Sequence, residues 1–201
     1  MDAFNLLKAD HQKVAGLFDE LESADGKQKL SVFAEIKTEL ELHTHVEETI
    51  FYPALEEPKE THDLTLEAYE EHDVVKRLLQ ELSRARSANE EWEAKAKVLR
   101  ENVEHHVEEE ENELFKKASK ALSRDEIETL GEQMQSEKER KQRTGAKKSA
   151  ASKSTSKSAS KTKSASTAQK RNRASKKSAS KSSSKSSTTT KKSRKSAAKK
   201  R

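Results

Sequence analysis

The sequence predicts an all-α fold: an up-down-up-down four-helix bundle with a short fifth helix, followed by a disordered basic tail. Three observations carry the bundle. Through residue 140, apolar residues recur three and four positions apart, a spacing that lines one face of a helix. Gly and Pro are scarce there, and the β-branched alternation of strands is missing. The breaks that do occur are short, which makes neighbouring helices antiparallel.

The first helix is expected over residues 2–22, with Phe4, Leu7, His11, Val14, Phe18 and Leu21 facing in. Ser23-Ala24-Asp25-Gly26 reads as a turn. The second helix covers 27–56, and Ile36, Leu40, His43, Glu47, Ile50 and Ala54 share its inner face. Pro53 should bend its last turn, and Pro58 should stop it by removing a donor and disfavouring helix in the residue before. The third helix spans 62–85, its stripe being Leu66 or Tyr69, then His72, Val75, Leu79 and Leu82. Ser87-Ala88-Asn89 supplies a turn and an N-cap. The fourth helix covers 90–121 with Trp92, Ala96, Leu99, Val103, His106, Glu110 and Leu114 inward. Ser123-Arg124-Asp125-Glu126 has capping-box spacing and opens the fifth helix, where Ile127, Leu130 and Met134 form a weak apolar edge.

Charge divides the chain in two. Residues 1–140 hold 19 Lys and Arg against all 36 Asp and Glu, a net of −17. Residues 141–201 hold 22 Lys and Arg and no acid, a net of +22. That second stretch contains no Val, Ile, Leu, Met, Phe, Trp or Tyr, so nothing there offsets the entropy of ordering the backbone. Two regions are expected: a folded domain over 1–140 and a disordered Lys/Ser/Ala-rich tail over 141–201. The absence of cysteine excludes disulfides and thiolate chemistry and leaves any metal to His and carboxylate. No segment approaches the roughly 18 consecutive apolar residues of a membrane span. With no signal-peptide run at the N-terminus, a cytoplasmic or nucleoid-associated location is expected.

His43 and Glu47 lie one turn apart on an apolar face, so an imidazole and a carboxylate point into a core. A buried carboxylate is tolerated mainly when it is paired or binds a metal. The partners come from an internal repeat. Residues 11–21 align on 72–82 at an offset of 61, matching His, Val, Leu, Glu and Leu. His43-x-x-x-Glu47-Glu48-x-x-Phe51-Tyr52 aligns on His106-x-x-x-Glu110-Glu111-x-x-Leu114-Phe115 at an offset of 63. Two helical hairpins each contribute His, then His-x-x-x-Glu. His11, His43, Glu47, His72, His106 and Glu110 are therefore the expected metal ligands. Two bridging carboxylates and four imidazoles leave positions for an oxo or hydroxo bridge and an exogenous ligand. Iron, manganese and zinc all suit this set. His45, His62 and His105 are expected at the surface or just outside the ligands, as are Glu48 and Glu111, while Tyr69 could line the pocket or simply pack.

These residues, with Phe51-Tyr52-Pro53 after the first His-x-x-x-Glu, resemble the hemerythrin-like, or HHE cation-binding, family over about residues 1–135. The resemblance implies a non-haem di-iron centre in a four-helix bundle, with the six residues as ligands. Relatives bind oxygen, sense oxygen or iron, turn over peroxide or repair damaged iron centres, so oxygen, peroxide or another small diatomic ligand is the expected partner. The oxygen carriers have a His four residues before the position of His72, where this chain has Ala68, and an Asp five residues after the fourth-helix His. Both departures argue against reversible oxygen carriage.

The tail resembles the lysine-rich tails of linker histones and nucleoid proteins. It has no aromatic residue to stack on bases, so it should bind nucleic acid through phosphates, without sequence preference. Folding back onto its own acidic bundle is the alternative. The whole then reads as a di-iron protein handling oxygen, peroxide or iron near the chromosome. A peroxide-consuming or repair enzyme, an iron store or sensor, and a structural nucleoid protein with a stabilising metal remain open beside it.

Overall fold

The computed structural model describes the backbone of residues 1–158 and the side-chain environments of residues 1–144. All of its regular elements are helical. Helix α1 (Ala3–Ser23) packs against α2 (Gly26–Val46), and α3 (Lys59–Ser83) packs against α4 (Glu90–Glu109). Short α5 (Phe115–Ala121) continues the line of α4, and α6 (Arg124–Ser158) lies across α1 and α2.

Local chemistry sets the helix ends. Asp2 caps α1 by accepting from the Asn5 amide at 2.9 Å, and Asn89 caps α4 by accepting from the Trp92 amide at 3.0 Å. The Ser123–Glu126 capping box forms as expected: Ser123 N donates to Glu126 Oε2 at 2.7 Å, and Glu126 N donates to Ser123 Oγ at 3.3 Å. At the start of α2, Gly26 takes φ +46°, which only glycine adopts without strain.

The second and fourth helices are not continuous, as the sequence pattern alone suggests. Each is broken by one π-helical turn, Glu47–Phe51 in the first hairpin and Glu110–Leu114 in the second. Pro53 explains only the 3₁₀ turn Tyr52–Ala54 that follows the first. Since the second π turn has no proline, the shared cause lies elsewhere. Both turns begin on the inward glutamate of His-x-x-x-Glu, and π-bulges are a recognised way to re-aim such a side chain.

Two apolar clusters fill the bundle. One contains Phe18, Phe33, Ile36, Leu79, Trp92 and Leu99, with Phe33 and Trp92 edge-to-face at 5.4 Å. The other contains Leu7, Phe51, Tyr52, Leu55, Phe115 and Met134. The inward His and Glu residues form a layer between them. On α1, His11 separates Leu7 from Val14; on α2, His43 separates Leu40 from Val46; on α3, His72 separates Ala68 from Val75.

The fifth helix is not short. Its backbone runs to Ser158, through Glu, Gln, Lys, Arg and Ala that favour helix and contain no proline. Residues 159–201, most of the expected tail, lie outside the described residues. The apolar edge of α6 is also stronger than its composition suggests, because Met134 is fully buried and Ile127 nearly so. This contact explains why Ala3 and Leu6, off the bundle-facing stripe of α1, are buried. Gly131 makes the approach possible: a Cβ there would fall 2.6 Å from the Ala3 amide nitrogen. Gly131→Ala should therefore destabilise the fold by about 1–3 kcal/mol despite its higher helix propensity. A melting temperature equal to or above wild type would refute this packing.

Candidate metal centre

The six residues named from the sequence converge, each less than 9% exposed. His11 Nε2 lies 3.2 Å from Glu110 Oε2, and His43 Nε2 lies 3.1 Å from Glu47 Oε2. His72 Nε2 lies 3.3 Å from Glu47 Oε2 and 3.2 Å from His106 Nε2. The rings of His11 and His43 are 4.9 Å apart, and those of His72 and His106 are 4.7 Å apart.

Every imidazole meets a carboxylate on its outer side. Nδ1 of His11 is 2.8 Å from Glu111, Nδ1 of His72 is 2.9 Å from Glu48, and Nδ1 of His106 is 2.7 Å from Glu71. His43 Nδ1 faces Asp10 Oδ2 at 3.5 Å. A carboxylate only accepts, so each Nδ1 carries the proton and each Nε2 turns a lone pair inward. Those lone pairs meet more acceptors. His11 Nε2 and all four oxygens of Glu47 and Glu110 are buried without a hydrogen-bond donor. Buried acceptors facing one another at about 3 Å need a cation or protons between them.

The side chains' own charges pull in opposite directions. Burial disfavours a charged His11, yet the hydrogen bond and charge of Glu110 raise its pKa to about 9. Burial draws His43 down to about 4. Burial and the neighbouring charge of Glu110 hold the Glu47 carboxyl well above the carboxylate range. Burial opposes ionisation of Glu110 as well, but the His11 hydrogen bond and the His106 and His11 charges bring it to about 2. Two carboxylates so close cannot both ionise comfortably with side chains alone.

Two groups of donor atoms lie within 4.8 Å of one another: His11, His43, Glu47 and Glu110, and then Glu47, His72 and His106. Glu47 is common to both. Between the imidazoles is a small cavity with an apolar floor of Val14, Leu40, Val75, Val103 and Val107.

The other candidates fall where expected or close by. His62 bonds the Glu56 carbonyl at 2.8 Å near the surface, and His105 is 63% exposed, 3.4 Å from Glu109. His45 points away from the layer and meets Glu137 of α6 at 2.7 Å. Tyr69 packs edge-on against Tyr52 and donates to Glu56 at 3.0 Å, so it does not line the site. Sequence reasoning missed Asp10, Glu71 and Tyr52. The first two directly precede His11 and His72 and repeat at the same offset of 61, a signal that was available. Tyr52 is fully buried with its hydroxyl 3.4 Å from His72 Nε2, and its repeat partner is Phe115, so duplication does not reveal it.

The fold and its polar layer define a helical bundle carrying a buried His/Glu cluster compatible with metal binding. Residues 2–118 match the hemerythrin HHE cation binding domain, and the chain belongs to that family. The crystal structure of a hemerythrin HHE cation binding domain-containing protein from Mycobacterium kansasii is similar, with a TM-score of 0.62 and 26% identity. That match covers 70% of this chain and 86% of the other. A DNA nickase from Nostoc sp. strain PCC 7120 is 29% identical over 153 residues, which is 75% of this chain and 43% of the nickase. The chain thus spans less than half the length of that curated relative. No helix among the described residues is long and apolar enough to cross a membrane.

Proposed function

We propose that residues 1–140 form a bundle holding a non-haem di-iron centre that handles oxygen, peroxide or iron, and that residues 141–201 tether it to nucleic acid. The buried acceptors without donors support the metal reading most directly. His11, His43 and Glu110 would hold one ion, His72 and His106 the other, and Glu47 both. Iron is the metal favoured by family membership, and it supplies redox chemistry that these side chains lack.

The protein's own part is orientation and exclusion. The four outer carboxylates fix the imidazole tautomers and raise their basicity. The valine-rich floor keeps bulk water away and leaves room only for a small ligand. Burial holds the Tyr52 phenol well above its ordinary pKa, so its hydroxyl keeps a proton and can donate a hydrogen bond to a ligand beside His72.

That small apolar cavity also favours a second reading, an enzyme that consumes peroxide. It does not favour direct cutting of DNA, because a phosphodiester cannot reach six residues buried this deeply. The nickase relative supports contact with DNA, and the +22 charge of residues 141–201 would provide it.

Metal analysis and one visible spectrum of the aerobically purified protein test the first reading. About two irons per chain with ferric charge-transfer bands are expected. Less than one metal per chain after reconstitution with ferrous iron would sink it. Turnover of hydrogen peroxide by the iron-loaded protein separates the enzyme from a sensor or store, and open-circle product from supercoiled plasmid would reinstate nicking.

A further inference from the structure

The carboxylates outside the imidazoles repeat with the two hairpins: Asp10 with Glu71 at an offset of 61, and Glu48 with Glu111 at 63. Three of the four meet their histidine at 2.7 to 2.9 Å, whereas Asp10 stands 3.5 Å from His43. What distinguishes Asp10 is Lys138. The Lys138 ammonium is 2.6 Å from Asp10 Oδ2 and also contacts Oδ1, and both side chains are only 13% exposed. Glu71, the repeat partner of Asp10, meets His105 at 3.8 Å and no lysine among the described residues. Lys76 beside Glu48 is 42% exposed, and Lys8 is 3.9 Å from Glu111. Lys138 belongs to α6, outside the residues that match the family.

An ammonium across both oxygens of a carboxylate occupies its lone pairs and withdraws its charge. Asp10 becomes a weaker acceptor for the His43 Nδ1 proton, and an imidazole with a weaker acceptor is a poorer metal ligand. The ammonium's own charge, little screened where it is buried, opposes a cation on the same side. We propose that Lys138 is a positioning residue that acts through Asp10 and His43 to lower the affinity of the His11–His43 metal position, making the two halves of a duplicated site inequivalent. This rests on the two-metal reading above.

The test is a Co²⁺ titration of the full chain, followed by the visible absorption of the bound ion. Wild type should take up two Co²⁺. Lys138→Met should tighten one of the two steps about tenfold and leave the other unchanged, in line with the tenfold and larger effects of such outer partners. Lys138→Arg should restore wild-type behaviour, and in a His43→Ala background Lys138→Met should change nothing. The sign is decisive, since a residue that merely docks α6 would weaken binding when removed. Unchanged or weaker binding in Lys138→Met overturns the proposal. If that variant does not fold, Lys138→Gln carries the same expectation. Wild type binding fewer than two Co²⁺ overturns the two-metal reading itself, and Lys138's role with it.

Discussion

Glu47→Ala is expected to abolish metal binding at both positions, whereas His106→Ala should leave about one ion per chain. The difference follows from geometry: Glu47 Oε2 lies 3.1 Å from His43 and 3.3 Å from His72, so it alone among the six joins both donor groups. Metal per chain after reconstitution and desalting measures it, and Glu47→Ala retaining a full complement would show the site to be misassigned. A second readout needs no metal. In the metal-free protein both Glu47 oxygens are buried acceptors without donors. Glu47→Gln replaces one of them with an amide that can donate to His43 or His72 Nε2. Metal-free Glu47→Gln should therefore be more stable than metal-free wild type by about 1–3 kcal/mol, the usual cost of an unsatisfied buried group. With metal the order should reverse. A ligand thus shows itself as a residue that harms the empty fold and supports the loaded one.

Much of the bundle is legible because burial imposes a period. The stripes Leu7–His11–Val14–Phe18 and Leu99–Val103–His106–Glu110 can be read directly, since each polar member interrupts an otherwise apolar face. Duplication then does what an isolated histidine cannot, because chance does not place His and His-x-x-x-Glu twice on inward faces. The π turns escape this reading: a single extra residue in a helical turn shifts the period by less than the tolerance of an apolar stripe. The burial of Ala3 and Leu6 escapes it as well, since it depends on a helix more than a hundred residues away. Lys138 and Asp10 lie 128 positions apart and look like ordinary surface charges in sequence. Only packing of α6 onto α1 turns them into a buried pair beside the site.

Truncation after Arg140 is expected to remove non-specific DNA binding. The remaining chain carries a net charge of −17 and is repelled by phosphate, while the 22 cations lost are the ones available for counterion release. If about 8 of those cations contact phosphates, the full chain should lose roughly 10³–10⁴-fold in affinity between 50 and 200 mM salt, and the truncated chain should have almost no affinity to lose. Filter binding at several salt concentrations measures both. Because the cut keeps Glu137 and Lys138, the α6 contacts to His45 and Asp10 stay in place, and metal content should be unchanged. DNA retention that survives the truncation would move the contact onto the bundle and defeat the tether. Metal lost together with DNA binding would mean instead that the segment beyond Arg140 helps to hold α6 on α1, making the two regions one thermodynamic unit.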